Sequence, residues 1–486
     1  MPASPEATAE RNLTNAIAAQ PPAIRGHNFD RLKTIFIVVD SGISIRNILR
    51  TDVYKVLRAC KNLRIVIFSS LTDDDFYKEV GGENVFFEPL QNWKATPLVK
   101  SLRSFRKDLW SEKHNVMRFR EKRAARKGRF SRELFYNLFF RGNGGRLERG
   151  MERVARLEEK FTPTLAKEFY AKYKPDLVFY TTINSKDLSV EIAAKQHGVK
   201  SCAFILSWDN PTTKGPFVVR PDRAIVWNQI MRDELSVLHD FPSEKILMSG
   251  PPQFDIYTDH SPYASRDQFF KKWDLDLNKR LITYTTGSRG MLPLEHETVE
   301  MLYQKVKDGA FREPVQLLVR LHPKDNFEPY DQFKGKAGIV IQTPGRRGNT
   351  NDSWNPTRSD MYELAETMKY SDVVVNIAST TTIDAACFDT PVVNVAFDGP
   401  RNVPYEESCK RYYKFDHYKK VVETGGITIA NTIDELVQQI ERYLDDPSLE
   451  AEGRARIREE QCYKLDGRSG ERIGQYLIEL LKAEKL

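Results

Sequence analysis

Short apolar, β-branched runs alternate with longer stretches of helical spacing along this chain. That alternation calls for parallel strands joined by crossover helices, because a strand buried on both faces reads as a continuous apolar run. The expected fold class is therefore α/β. In the first half, strands are expected at 34–39, 63–69, 84–87, 177–181, 201–206 and 224–227, and a second series at 246–249, 281–285, 315–321, 338–342, 372–377 and 392–396. A length of 486 residues leaves room for more than one such sheet. The expected division is a disordered segment 1–30, a Rossmann-like domain 31–235, a second Rossmann-like domain 236–450 and a closing helix 451–486. Gly250-Pro251-Pro252 and His260-Ser261-Pro262 punctuate the boundary region, and residues 343–356, rich in turn formers, read as a mobile loop.

No apolar run approaches the roughly 20 residues that span a bilayer, and residues 1–30 lack a basic segment followed by an apolar one. The expectation is a cytoplasmic protein. Cys60, Cys202, Cys387, Cys409 and Cys462 are odd in number and scattered without a C-x-x-C pair, which excludes a disulfide framework and a zinc site and leaves reduced thiols. No metal is expected: Asp73-Asp74-Asp75 reads as a helix start with acids in its first turn.

The charge is local. Residues 100–150 hold 16 Lys and Arg against 5 Asp and Glu, whereas the whole chain carries only +7. Trp110, Phe119, Phe130, Phe135, Tyr136, Phe139 and Phe140 lie among these cations, so the segment reads as a basic helical insertion into the first domain, between its third and fourth strands. Such interleaving suits an anionic surface, with lipid headgroups ahead of nucleic acid, or equally a solvated insertion whose aromatics pack on the domain.

Ligands of parallel sheets bind beyond the carboxyl ends of strands, where helix N-termini favour anions, so the strand-to-helix loops are the places to search. After the strand at 372–377, Ser379, Thr380, Thr381 and Thr382 lead into a helix with Asp384 in its first turn. These hydroxyls suit a diphosphate and Asp384 a ribose hydroxyl; the plainer alternative is an N-cap with an acid complementing the helix dipole. After the strand at 315–321, His322 stands between Arg320 and Lys324, either a donor to phosphate or a structural histidine. After the strand at 281–285 comes Thr286-Gly287-Ser288-Arg289-Gly290, small enough for close backbone approach. In the first half, Ser207-Trp208-Asp209-Asn210-Pro211 offers a carboxylate beside an aromatic ring, with Lys214 following; it is either a general base or a simple turn.

Taken together, two nucleotide-fold halves with phosphate-binding loops in the second and a carboxylate in the first describe the GT-B architecture, two Rossmann-like domains facing a cleft. The strings Ser207-Trp-Asp-Asn-Pro-Thr-Thr-Lys-Gly215, Pro221-Asp-Arg-Ala-Ile-Val-Trp-Asn228, Ser249-Gly-Pro-Pro-Gln-Phe-Asp255 and Arg320-Leu-His-Pro323, with the loop 379–384, resemble bacterial surface-polysaccharide transferases of the CDP-glycerol glycerophosphotransferase-like group. The resemblance covers roughly residues 177–395. It implies a nucleotide-sugar co-substrate and no separate cofactor, with Gly287, Ser288, Arg289, Arg320, Lys324, Ser379, Thr380, Thr381 and Asp384 binding the donor. His322 would stand beside the transferring group, and Ser41, Trp208 and Lys214 would meet the acceptor. That family places a histidine in a His-Gly-Thr type loop where this chain has Trp208-Asp209-Asn210, which makes Asp209 the base and favours transfer of a sugar. A Gly-rich loop after the first strand, usual in many GT-B enzymes, is reduced to Ser41-Gly-Ile-Ser44.

The leading expectation is thus a nucleotide-sugar-dependent glycosyltransferase acting on a glycan or lipid-linked acceptor in surface polysaccharide or glycolipid synthesis. The basic segment 100–150 would hold it on the inner face of the plasma membrane. Three alternatives remain: a CDP-glycerol-type polyol-phosphate transferase, a non-hydrolysing UDP-sugar 2-epimerase, for which the first half supplies few carboxylates beyond Asp187 and Asp209, and a non-catalytic adaptor binding RNA or membrane through residues 118–132.

Overall fold

The computed structural model describes residues 27–69, 71, 74–90, 94–124, 144–164, 166–183, 188–325, 327–345 and 354–484. Asp73, Asp187, the aromatic stretch 133–140, most of the span 118–132, residues 346–353 of the expected loop and residues 1–26 of the expected lead-in lie outside them. The chain forms two compact units, residues 1–252 with 468–486, and residues 253–467.

The first unit is built on a seven-stranded sheet in the order β3-β2-β1-β4-β5-β6-β7. Its strands are β1 (Asn28–Val39), β2 (Lys61–Ser69), β3 (Val85–Pro89), β4 (Leu177–Tyr180), β5 (Lys200–Phe204), β6 (Arg223–Val226) and β7 (Ile246–Met248). All its pairs are parallel; β4, β5 and β6 are buried along nearly their whole length and β1 from Thr34 to Val39, as the continuous apolar runs require. The strand order reverses between β1 and β4, the point where such sheets open a crevice for ligands.

Three expectations are corrected here. Residues 28–30, read as disordered, begin β1, because Phe29 is buried and its carbonyl accepts from Asn62 Nδ2 at 2.8 Å. β7, assigned to the second sheet, pairs with β6 in the first. The single closing helix is two, Ala451–Cys462 and Ser469–Lys482, separated by left-handed backbone at Tyr463 (φ 60°) and Gly467 (φ 72°). The second of these packs under β1 and the helix Asp52–Arg58, and Lys200 Nζ ties it down by donating to the carbonyls of Leu480 and Ala483 at 2.6 and 2.5 Å.

The basic insertion stands between β3 and β4 as helices Pro97–His114, Met117–Ala124 and Gly144–Phe161. The first and third pack on each other through Leu109, Leu147 and Val154. Trp110 and Phe119 are buried edge-to-face at 5.6 Å, so these two aromatics belong to the fold.

The second unit holds a six-stranded parallel sheet, order β10-β9-β8-β11-β12-β13. Its strands are β8 (Arg280–Thr285), β9 (Val315–Arg320), β10 (Ile339–Gln342), β11 (Val373–Asn376), β12 (Val392–Val395) and β13 (Thr428–Ala430). The edge strand β13 is absent from the sequence expectation. The reversal lies between β8 and β11, whose loops carry Gly287 and Ser379.

Candidate functional site

One register row organises the second unit. Gln342 pairs with Arg320, Arg320 with Thr285, Thr285 with Asn376, and Asn376 with Asn394, so a polar side chain occupies the same level on consecutive strands. Residues paired across parallel strands point to one face, and all of these are buried. A polar row at the carboxyl end of an otherwise apolar sheet must be hydrogen-bonded to be tolerated, and each of its side chains is, although Gln342 Nε2 has no partner among the described residues.

Thr285 Oγ1 lies 2.7 Å from Thr381 Oγ1, and Asn376 Nδ2 donates to the same Thr381 oxygen at 3.2 Å. Asn376 Oδ1 accepts from Thr382 Oγ1 at 3.1 Å and Asn394 Nδ2 at 2.8 Å, while the Tyr418 hydroxyl joins Thr382 and Asn394 Oδ1. The opening turn of the helix Thr381–Cys387 is thus fixed from below by side chains of three neighbouring strands. The turn leading into it is tight: Ala378 takes φ 39°, a conformation costly for a residue with a Cβ, directly before Ser379. The N–H groups of Ala378 and Ser379 face the hydroxyls of Tyr413 and Tyr418. Ser379, Thr380 and Thr381 remain half-buried at the rim, and Ser379 Oγ accepts from Thr381 N and Oγ1.

Asp384 sits deeper. It is 4% exposed, and Tyr257, 127 residues earlier, donates its hydroxyl to Oδ1 at 2.5 Å. Arg320 is also buried, with Nη1 donating to Gln342 Oε1 at 2.6 Å and Glu363 Oε1 at 3.2 Å, so its charge is already balanced inside the unit. Lys324 is exposed beside it in sequence.

His322 is held in one tautomer. The Lys324 N–H donates to Nδ1 at 3.0 Å, which places the ring proton of the neutral imidazole on Nε2. The His322 N–H in turn donates to Thr286 Oγ1 at 2.8 Å, and the Thr286 hydroxyl donates to Asp325 Oδ2 at 2.8 Å. Thr286 therefore links the loop after β8 to the loop after β9.

The Gly287 loop is anchored by a residue that sequence reading passes over. Glu295 Oε2 accepts from the Gly287 N–H at 2.6 Å, and Oε1 accepts from the Tyr284 hydroxyl at 3.1 Å. Burial pushes the Glu295 carboxyl up to about 8, against the downward pull of those two donors. A Cβ at Gly287 would lie 2.5 Å from Leu292 Cδ1, so the glycine serves this internal packing. Ser288 is half-buried and Arg289 exposed.

In the first unit, Ser41 follows β1 as the N-cap of the helix Gly42–Ile48, accepting from Ser44 N at 3.3 Å. Asn47 of that helix donates to the Leu206 carbonyl at 3.4 Å, bringing the Ser41 and Asp209 loops to the same end of the sheet. Asp209 is half-buried, with Oδ2 accepting from Thr213 Oγ1 at 2.7 Å. Trp208 is buried and Lys214 exposed. His239 donates from Nε2 to the Pro211 carbonyl at 2.8 Å, and burial pushes its imidazole down to about 4, so it stays neutral.

Among the described residues, no group of three or more His, Cys, Asp and Glu could hold a metal, and no helix is long and apolar enough to cross a membrane. All five cysteines are free.

The residues that sequence reading missed are Tyr257, Thr285, Glu295, Asn376, Asn394 and Tyr418. Asn376 and Asn394 do carry a signal, an amide interrupting a run of valines at a strand end.

A family model described as CDP-Glycerol:Poly(glycerophosphate) glycerophosphotransferase matches residues 214–479, beginning just after Asp209. No curated protein matches the chain. Among solved structures, S. aureus MnaA in a co-structure with UDP is 15% identical, aligned over 93% of this chain and 99% of its own, with a TM-score of 0.52. A UDP-GlcNAc 2-epimerase from Neisseria meningitidis bound to UDP-GlcNAc is 11% identical over 92% of this chain and 100% of its own, with a TM-score of 0.53. At these identities the likeness carries the fold, the expected GT-B pair of Rossmann-like parallel-sheet domains.

Proposed function

The chain belongs to the CDP-glycerol:poly(glycerophosphate) glycerophosphotransferase family, and from that footing we propose that this GT-B transferase moves a sugar from a nucleotide diphosphate donor to an acceptor hydroxyl on a surface glycan or glycolipid. The observation that carries the proposal is the hydrogen-bonded row beneath the Ser379 turn. It holds hydroxyls at the switch point of a parallel sheet, where anionic ligands bind.

In this reading Ser379, Thr380 and Thr381 meet the diphosphate, and Gly287, Ser288 and Arg289 line its other side. His322, fixed with its proton on Nε2, donates to the departing phosphate without needing to be charged. Lys324 adds positive charge at the rim. Arg320 and Asp384 act from within, Arg320 by holding the end of β9 and Asp384 by fixing Tyr257 against the donor helix. Asp209 takes the proton of the acceptor hydroxyl, with Ser41, Trp208 and Lys214 around the acceptor. UDP-GlcNAc, bound by one structural neighbour, is the first donor to test, and UDP, bound by the other, the first leaving nucleotide.

A second reading, transfer of a polyol phosphate, is favoured by the family's own description. A thermal-shift screen separates them: UDP, CDP, GDP and dTDP, their sugars and CDP-glycerol are compared, since a ligand that binds only the native state raises its stability. A nucleotide sugar is expected to raise the melting temperature. CDP-glycerol as the sole stabilising ligand would select the second reading, and UDP-GlcNAc converted with no acceptor present would mark an epimerase.

The enzyme works at the inner face of the plasma membrane in this reading, held there by residues 100–150. Support comes from the excess of 11 cations in that segment and from Leu98, Leu157 and Phe161, each more than 40% exposed on the flanking helices. Sedimentation with phosphatidylglycerol vesicles is expected at low salt and not with phosphatidylcholine; equal behaviour with both lipids would remove the membrane role.

A further inference from the structure

We propose that Arg106, on the first helix of the basic insertion, is a positioning residue for the loop that bears Asp209; the catalytic part of this inference rests on the reading of Asp209 as the base. The loop is gripped at two points. At its start, His239 donates to the Pro211 carbonyl at 2.8 Å. At its end, Arg106 Nη1 donates to the carbonyls of Pro216 and Phe217 at 2.7 and 2.9 Å. Between these points the chain turns through Gly215, at φ 78°, where a Cβ would lie 2.9 Å from Lys107 Cγ of the same insertion helix. The insertion helix therefore lies directly against the turn.

Arg106 is in a demanding place for a residue from a segment whose composition suggests a solvated cation. It is 1% exposed and pairs through Nε with Glu158 Oε2 at 2.9 Å, Glu158 itself being 0% exposed. Its Nη2 has no hydrogen-bond partner among the described residues. A buried ion pair with an unsatisfied donor is a poor adhesive, because apolar side chains of similar volume join two helices at no such cost. What an apolar side chain cannot do is donate to two successive backbone carbonyls. That contact fixes the direction in which the chain leaves the short helix Asn210–Thr213, whose Thr213 hydroxyl donates to Asp209 Oδ2 at 2.7 Å. The aromatic packing of His239 with Trp110 (5.3 Å) and Phe217 (5.4 Å) closes the same frame, again using an insertion residue.

The test uses the full-length protein and the double variant Arg106→Met/Glu158→Gln, which removes the grip without leaving a buried charge unpaired. Arg103→Gln is the control: Arg103 also pairs with Glu158 but is not bonded to the loop carbonyls. Hydrogen exchange is read at the amides of Thr212, Thr213 and Lys214, which close the turn onto Asp209 and Asn210. The double variant is expected to exchange there at least tenfold faster while the amides of β5 are unchanged, and Arg103→Gln is expected to match the parent. With the donor and acceptor that support turnover, the double variant should lose at least tenfold in kcat with unchanged affinity for the nucleotide. Unchanged exchange at those amides, or faster exchange confined to the insertion helices, overturns the proposal. Loosened amides with full turnover overturn its catalytic part. An active Asp209→Asn enzyme beside an impaired double variant would sink the base assignment and leave the positioning role standing.

Discussion

Asp209→Asn is expected to lower the rate of sugar transfer by roughly two to four orders of magnitude, the usual share of a positioned general base, while nucleotide affinity stays within about twofold of the parent. The substitution preserves shape: an amide oxygen can still accept the Thr213 hydroxyl that now bonds Oδ2 at 2.7 Å. What it removes is the capacity to take a proton. Asp209 suits that task because it is half-buried at a strand-to-helix turn whose neighbours Trp208, Asn210 and Pro211 are all buried, so little can move when the acceptor arrives. The loops proposed to hold the donor belong to the other compact unit, whose sheet and polar row do not include Asp209. The expected signature is therefore a fall in kcat with the nucleotide Kd, measured by calorimetry, unchanged. A fully active Asp209→Asn enzyme would reject the role, and loss of nucleotide binding would show that the substitution disturbs more than the proton acceptor.

The architecture was legible because its strands are parallel. Val373-Val-Val and Val392-Val read as buried from composition alone, and their alternation with helical stretches leaves few other folds. Limits appear where local sequence carries no information about partners. β13 is three residues at a sheet edge, too short to form a pattern, and β7 reads as a strand but nothing local says which sheet receives it. The break between the last two helices depends on a left-handed Tyr463, a residue with no intrinsic preference for that backbone.

The site shows the same division. The loops were found because strand ends followed by Ser, Thr, Gly or His are visible in sequence. The side chains that fix them come from far away: Tyr257 bonds Asp384 across 127 residues, and Arg106 reaches Phe217 across 111. Residue type also misled about depth. Arg320 and Arg106 read as exposed cations suited to an anionic ligand or surface, yet each is buried against a glutamate. Charge counting cannot distinguish a solvated cation from a buried partner, and only the tertiary fold does.

Glu295 carries the second large expected effect, and the effect is on stability. Its sequence context, Glu295-His-Glu297 at a helix start, suggests an exposed acid favoured by the helix dipole. In the fold it is buried, with its carboxyl raised from 4.5 to about 8 mainly by the loss of water. The sign follows from proton binding. Between these two values the folded protein holds a proton that the unfolded chain has released, so raising the pH favours the unfolded state. Stability from this group is full below about pH 4.5, falls as the pH climbs to about 8, and is level beyond. Each pH unit in that window is worth about 1.4 kcal/mol.

Glu295→Gln removes the titration but keeps the contacts of the protonated acid, with the amide oxygen accepting from Gly287 N–H and the amide NH₂ donating to the Tyr284 hydroxyl. The difference in unfolding free energy between variant and parent cancels every group that titrates alike in both, including His239, whose lowered value gives a slope of opposite sign. That difference, from denaturant titrations at successive pH values, should grow in the variant's favour by about 2 kcal/mol between pH 6.5 and 8 and then stay constant. A variant that tracks the parent across the range would show that Glu295 is ionised in the folded protein throughout. The Gly287 loop would then be held by a full charge, and the protonated state that burial gives Glu295 would have to be abandoned.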